Sequence, residues 1–380
     1  MASEKTSKKG RGGAITLVIT LVLIGLIGTL AFIAVDRAIL NDRLDRSFVN
    51  PWIAQYKIVY QCVDEFSTQQ LCLVNSDGSG ARQLTFGGNG GVEYYQPQIN
   101  AVGQIVARCV DHQSGTEHYC LLHTDRPNEI YRISETFGSD HPALINDLGE
   151  IVHHCGRRAN DVWLICLSRA NSDEESEIET FDIVTGGGTF AINNRHYLAH
   201  ACGFSGSYEI CLTSFATDDQ IVITPNPSLQ LTGIESLLLN DRNELVILCK
   251  IEAGVNQRQL GICLANEREK RIDLIPLTPQ YSLFTLGSLT DDTIVLTCFR
   301  GKQILPKGHV CAMDFENYRL EELSGGEDGE NDLGPSVNEA GLIVYECMES
   351  QICLIDRAAE QVKVLTGHDI SRPATSPKIQ

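Results

Sequence analysis

Positive charge is in short supply. Thirty Lys and Arg stand against 49 Asp and Glu, for a net charge of −19. That balance lacks the basic footprint needed to neutralise phosphates, so no nucleic-acid partner is expected. It suits a soluble, self-repelling surface instead. There is no Cys-x-x-Cys or Cys-x-x-Cys-His among 14 cysteines, which removes zinc knuckles and c-type haem attachment. Nor is there a Gly-x-Ser-x-Gly elbow; in Gly203-Phe204-Ser205-Gly206-Ser207 the glycine comes one place early. A phosphate loop, a dinucleotide fingerprint and a His-Glu-x-x-His helix are also missing. No catalytic residue, cofactor-binding residue or metal ligand is therefore assigned.

What is present begins with one long apolar run. Residues 14–35 carry no charge over 22 positions, enough for a helix at ~1.5 Å per residue to cross a ~30 Å hydrocarbon layer. Lys5, Lys8, Lys9 and Arg11 precede it, so residues 1–13 are expected to stay in the cytoplasm as a basic tail. A signal peptide would have a shorter apolar region of ~7–15 residues and a small-x-small cleavage site, whereas a cut after Ala34 would place Phe32 at a small-residue position. The expectation is an uncleaved, single-pass signal anchor. Residues 36–50, with Ile39, Leu40, Leu44 and Phe48 at helical spacing, read as a juxtamembrane amphipathic helix or linker. Residues 51–380 form the extracytoplasmic domain, periplasmic or cell-surface.

That domain is a repeat. The cysteines fall into seven pairs: Cys62/Cys72, Cys109/Cys120, Cys155/Cys166, Cys202/Cys211, Cys249/Cys263, Cys298/Cys311 and Cys347/Cys353. Their first members are spaced 47, 46, 47, 47, 49 and 49 residues apart, a period that suits a four-stranded propeller blade. In each unit a proline-led first strand meets an Asn-x-x-Gly turn, as at Asn100–Gly103, Asn146–Gly149 and Asn338–Gly341. The second strand ends in the first cysteine and the third carries the second cysteine. The fourth, as in Gln361-Val362-Lys363-Val364, alternates in the half-buried pattern. Asn193-Asn194-Arg195 and Thr290-Asp291-Asp292 replace the glycine turn in two degenerate units. The first unit starts in its second strand at Lys57, while residues 372–378 read as a first strand and turn with nothing following. The C-terminal strand is thus expected to complete the first blade and close an all-β, seven-bladed propeller.

Asp77-Gly78-Ser79-Gly80-Ala81-Arg82-Gln83-Leu84-Thr85 and Pro373-Ala374-Thr375-Ser376-Pro377 resemble the repeat of TolB-like β-propellers. The likeness spans about residues 57–380, strongest in the first and last units. It implies a disc-like propeller and leaves function open. The chain departs from that family in its cysteine pair per unit. Neither that family's usual extra N-terminal domain nor an appended peptidase domain is expected.

The paired cysteines sit on neighbouring antiparallel strands with 5 to 13 residues between them, where directly opposed positions come close enough to bridge. With an exporting anchor, seven disulfides are the expectation; reduced cysteines packed as small apolar residues are the rival. His153 and His200 share one slot in consecutive units and are expected to be held by local hydrogen bonds rather than to form a site. Residues 173–177 and 327–332 are acidic. Ca²⁺ takes such oxygen ligands, but neither stretch has calcium-loop spacing, and solvated loops are the default. Connections between units converge on one face and place Tyr94, Tyr95, Asp140, His141 and Arg372 there as candidate partner contacts. The expected role is a non-enzymatic interaction or scaffolding module with a protein partner, in a membrane assembly. A channel-mouth hydrolase, metal-assisted or not, and a glycan or small-molecule sensor are the alternatives.

Overall fold

The computed structural model describes residues 56–87, 91–135, 141–158, 162–170, 181–183, 189–202, 208–252, 258–276, 281–300, 308–315, 317–324, 333–347, 351–366 and 375–380. The apolar run at 14–35, the helix expected at 36–50, both acidic stretches, Asp140 and Arg372 lie outside them. Among the described residues, no helix is long and apolar enough to cross a membrane.

All regular structure in the described residues is β. The strands form an all-β propeller of antiparallel four-stranded units. The second and third strands of a unit are short, nearly continuous apolar runs, because each is covered on both faces. Lys57–Val63 and Gln69–Asn75 are each buried at their five central residues. The outermost strand Gln361–Val364 is exposed at all four positions, not alternately buried, whereas the outer strands Gln220–Pro225 and Arg271–Leu274 each bury one residue, Ile223 and Ile272.

Closure is by the C-terminal strand. Thr375–Ile379 pairs with Lys57–Val63, with Ile58 opposite Ile379 and Val59 opposite Lys378, so the first sheet holds both ends of the repeat domain. The other innermost strands are Val92–Ile99, Leu144–Ile145, Phe190–Ile192, Leu231–Leu239, Tyr281–Leu289 and Leu333–Val337. Each touches the next, and the last touches Thr375–Ile379, which in turn touches Val92–Ile99. These seven strands wall a central channel.

Three expectations are corrected by the strand geometry. Seven separate sheets were expected; there are five four-stranded sheets and one of eight strands. In the last, the outer strand Gln220–Pro225 continues into a parallel ladder with the outer strand Arg271–Leu274, Thr224 opposite Arg271 and Pro225 opposite Ile272. Asn226 extends the seam, its amide donating to Ile272 O (3.0 Å) and its side chain to Asp273 Oδ1 (2.8 Å). Second, three of the prolines do not open their inner strands, although Pro142 does precede Leu144–Ile145. Pro97, Pro335 and Pro377 sit within them, where the register against the neighbouring strand shifts between Tyr95 and Gln98, between Leu333 and Ser336, and opposite the shift between Val59 and Gln61. A bulge is the interior site that tolerates a missing N–H.

Third, the cysteines are bonded diagonally, not directly opposite. Cys62 faces Gln70 while Cys72 faces Tyr60, and the same two-residue offset recurs at Cys109/Cys120, Cys298/Cys311 and Cys347/Cys353. The middle units follow the same rule. Cys166 faces His153 rather than Cys155, Cys211 faces His200 rather than Cys202, and Cys263 faces Ile247 rather than Cys249.

All seven disulfides are formed, Cys155–Cys166, Cys202–Cys211 and Cys249–Cys263 among them, with Cα–Cα distances of 5.6 to 6.0 Å. No free cysteine remains. Directly opposed antiparallel residues hold their Cα atoms ~4.5–5.5 Å apart, slightly under the usual disulfide span. The diagonal widens that distance and keeps both sulfurs on one face of the sheet. Cys155, Cys166 and Cys202 are half-buried, and the other cysteines are buried. The sulfur-bearing face packs on the preceding unit. Cys109 and Cys120 lie with Val59, Leu71 and Leu73, Cys298 and Cys311 with Val246 and Leu248, and Cys347 and Cys353 with Val295 and Val310. Cys249 and Cys263 likewise lie with Ile210 and Leu212. The core is therefore a set of radial layers between units, stapled by disulfides.

At the turn end, a polar chain runs from unit to unit. The buried amides of Asn100, Asn146 and Asn193 donate to the carbonyls of Asn146, Asn193 and Asn240 at 2.9, 2.8 and 2.9 Å. Each side-chain oxygen accepts the backbone N–H four residues on, at 2.9 to 3.1 Å. Asparagine supplies both a donor and an acceptor, which neither leucine nor aspartate would. The third residue after it has positive φ: Gly103, Gly149 and Gly341 where glycine is present, His196 (63°) and Asn243 (60°) where it is not. His196 is held there by Glu150 of the preceding unit, Nδ1 to Oε1 2.7 Å.

Candidate functional site at the loop end of the channel

The end opposite the asparagine turns is built from the starts of the inner strands and the loops between second and third strands. Each of those loops is tied at its base by a disulfide. In the second unit, Val92–Ile99 enters from this end and Gln104–Asp111 returns to it, bringing Val92 opposite Asp111. Successive residues on a strand point to opposite faces, so Tyr94 and Tyr95 part company. Tyr94 is 5% exposed and packs in the layer with Leu71, Leu84 and Ile105. It presents no surface to a partner, and burial raises its phenol pKa.

Tyr95 lies on the other side, in a five-residue polar cluster. Its hydroxyl donates to Glu93 Oε2, which also binds His112 Nε2 at 2.7 Å. The Arg108 guanidinium lies 6.0 Å from the Tyr95 ring centroid and holds Glu117 Oε2 at 2.9 Å. Burial works against the charge on Glu93, but the hydrogen bonds from Tyr95 and His112 outweigh it and keep the carboxyl below its ordinary range. Burial, the bond to Glu93 and the Glu93 charge push the Tyr95 phenol up to about 12. The hydroxyl therefore stays protonated and acts as a donor at neutral pH. Gln96, at φ 53°, follows at the bulge, its N–H donating to Gln61 Oε1 of the first unit (3.1 Å).

His141 stands at the channel wall, its carbonyl accepting from Tyr119 Oη (2.9 Å) and its ring edge-on to His154 at 5.1 Å. His153 is locked by Ser134 Oγ at 3.1 Å and Ser168 Oγ at 3.0 Å, and His200 Nδ1 donates to Ala201 O at 3.2 Å. Burial holds both imidazoles at a pKa of about 4, so they are neutral internal side chains at pH 7. Among the described residues, no group of three or more His, Cys, Asp or Glu is placed to hold a metal ion.

Below the loop end, the channel encloses a cavity of about 440 Å³. One register position per unit, two residues before the turn, lines it: Gln98, Leu144, Ala191, Leu238, Ser288, Ser336 and Lys378. Residue-type scanning along the chain missed Arg108, His112, Glu117 and Lys378. Counting back from each turn residue, with Gln380 in the place of asparagine, would have found Lys378; the other three carry no local signal.

Neither a protein-family model nor a curated protein sequence matches the chain. Solved structures do match in fold. TolB from Acinetobacter baumannii aligns with a TM-score of 0.52 at 10% identity, over 86% of this chain and 67% of that one. The β-propeller domain of the Trilobed protease from Pyrococcus furiosus aligns at 0.60 and 11%, over 83% and 95%. An acylaminoacyl peptidase in complex with Z-Gly-Gly-Phe-chloromethyl ketone aligns at 0.59 and 10%, over 83% of this chain and 51% of that one. At these identities the likeness is one of fold: the chain is a β-propeller of the kind found in TolB.

Proposed function

We propose that the chain is a membrane-anchored, extracytoplasmic seven-bladed propeller that binds a protein partner through its loop end, as an accessory or scaffolding subunit of a membrane assembly. The count takes the eight-stranded sheet as two blades, since its halves are antiparallel four-stranded meanders joined by two residue pairs. Seven disulfides suit an oxidising compartment, and the uncharged run at 14–35 suits the anchor that would deliver the domain there. One observation carries the binding reading. Glu93, Tyr95, Arg108, His112 and Glu117 form a preorganised aromatic and charged cluster at the loop end, next to the hairpin stapled by Cys109–Cys120. Tyrosine and arginine dominate the energetics of protein interfaces, and rigid presentation lowers the entropic cost of docking.

The test is site-specific photocrosslinking in native membranes, with the photoreactive residue at His112 or, as control, at Arg195 on the turn end. A discrete adduct from His112 that is lost in Arg108→Ala and absent from Arg195 is the expected result. Equal crosslinking from both ends, or none from His112, would remove the assignment.

A further inference from the structure

The channel wall is two-sided. Going around the seven-position layer, Ser288, Ser336, Lys378 and Gln98 are consecutive and polar, whereas Leu144, Ala191 and Leu238 are consecutive and apolar. Lys378 bears the one charge in that layer. Among the described residues its Nζ has neither a hydrogen-bond acceptor nor an ion-pair partner. Two further side-chain hydroxyls on the same cavity, Thr189 Oγ1 and Ser236 Oγ, are buried without a hydrogen-bond partner. A lone ammonium and two unsatisfied hydroxyls around one cavity are groups that a propeller needs neither for closure nor for packing. Buried hydroxyls left open in this way are costly unless something fills them.

We propose that the central channel is a binding site for a small organic monocarboxylate, its carboxylate held by Lys378 and its apolar body against Leu144, Ala191 and Leu238. The cavity volume lies in the range of small-molecule sites, which pair a mostly apolar wall with a few convergent polar groups. Lysine fits the role of a point-charge partner for an anion. Burial lowers the Lys378 amine to a pKa of about 8, with no carboxylate acting on it, so the amine is largely protonated at pH 7 and lacks a resident counter-ion. The other titratable side chains on the cavity are His141 and Glu235, and Glu235 is already paired with Lys250. This site is separate from the loop-end cluster and does not depend on the partner reading.

The test uses ¹⁹F NMR on the full-length protein, with 4-fluorobenzoate as probe and 4-fluorobenzamide as its neutral isostere. The benzoate is expected to bind about tenfold more tightly than the amide, the size of one charge-assisted contact. Lys378→Met should remove that preference and Lys378→Arg should keep it. Equal affinity for the two probes on the wild type, no benzoate binding at millimolar concentration, or a preference unchanged in Lys378→Met would each overturn the proposal. Should Lys378→Met fail to fold, ¹³C-methylated wild type decides: the Lys378 methyl resonance should shift on adding benzoate and not on adding benzamide, and a static resonance would refute the contact.

Discussion

Asn338 donates its side-chain amide to the carbonyl of Gln380 at 2.9 Å, and Gln380 N–H donates to Lys57 O at 3.3 Å. Two hydrogen bonds thus carry the asparagine chain across the join between the first and last repeats. The join is held by the same device that links the interior repeats.

Removing one asparagine should strip several buried bonds at once. Asn146 donates to Asn193 O and Glu150 Oε2 and accepts from the amides of Leu148 and Glu150. Asn146→Leu should cost about 2–4 kcal/mol, because partners are left unsatisfied as well as bonds lost. Urea unfolding followed by fluorescence measures it, and Asn338→Leu should show a similar loss with early exposure of the C-terminal strand to protease.

Each disulfide closes a short loop, so each should contribute modestly. Replacing Cys347 and Cys353 together by alanine should cost about 2–3 kcal/mol in loop entropy, and the Cys249/Cys263 pair slightly more because its loop is longer, at a separation of 14 against 6. Chemical denaturation under oxidising conditions compares them, with the reduced wild type as the limit in which all seven are lost.

Stability should fall in mild acid through two residues. The imidazoles of His153 and His200 are lowered to about 4 by burial, against 6.5 when exposed. Between those values the unfolded chain takes up protons that the fold refuses, so stability drops as pH falls from about 6.5 to 4 and is flat in this term below it. Over the whole of that range each contributes on the order of 3 kcal/mol. The difference between pH 7 and pH 4.5 unfolding midpoints should shrink in His153→Gln and His200→Gln.

Gly287 should not accept a side chain. A methyl group there would lie against Pro335 O of the next inner strand and 2.9 Å from Val295 O, both backbone atoms that cannot swing aside. Gly287→Ala is expected to lower stability by about 1–3 kcal/mol, the usual cost of overpacking, read as a lower melting temperature.

Lys378 should work in the opposite sense from a stabilising ion. Its amine is lowered from 10.5 to about 8, so the cost of holding it charged is fully present below pH 8. The fold sheds that proton before the unfolded chain does, and this contribution to stability rises with pH between about 8 and 10.5. Lys378→Met should be more stable than the wild type at pH 7 and lose this slope, measured by denaturant titration at pH 7 and 10.

The architecture was legible because its marks are local and repeated. Asn-x-x-Gly locates each turn, and a cysteine on each of two neighbouring strands fixes which strands pair. It does not fix their register: Cys166, Cys211 and Cys263 each sit two places from direct opposition, a shift set by the sheet and not by the cysteine itself. The unmatched second strand at Lys57 and first strand at Pro377 foretold their pairing. The seam between Thr224–Pro225 and Arg271–Ile272 was not legible, since a two-residue parallel contact between outer strands needs no special residue type. Tyr94 and Tyr95 looked equivalent; strand alternation buries one and presents the other, and the bulge at Gln96 and Pro97 sets which side continues to the channel. Arg108, His112 and Glu117 converge on Glu93 and Tyr95 only after the second hairpin folds, so no window of sequence contains the cluster. Lys378 was hidden by its setting, inside what read as a turn.

The pairing of Thr375–Ile379 with Lys57–Val63 also sets a timetable for biogenesis. Of the described repeats, the one synthesised first is the last to be completed, because Thr375–Ile379 follows every other described strand in the chain. Until then Lys57–Val63 presents a bare backbone edge, the kind of surface that recruits strands from other chains. Every disulfide spans few residues and can form as its own hairpin emerges, so covalent maturation can run ahead of ring closure. The vulnerable interval is therefore one of oxidised but open rings. A chaperone or a membrane tether that keeps neighbouring copies apart would act most usefully in that interval.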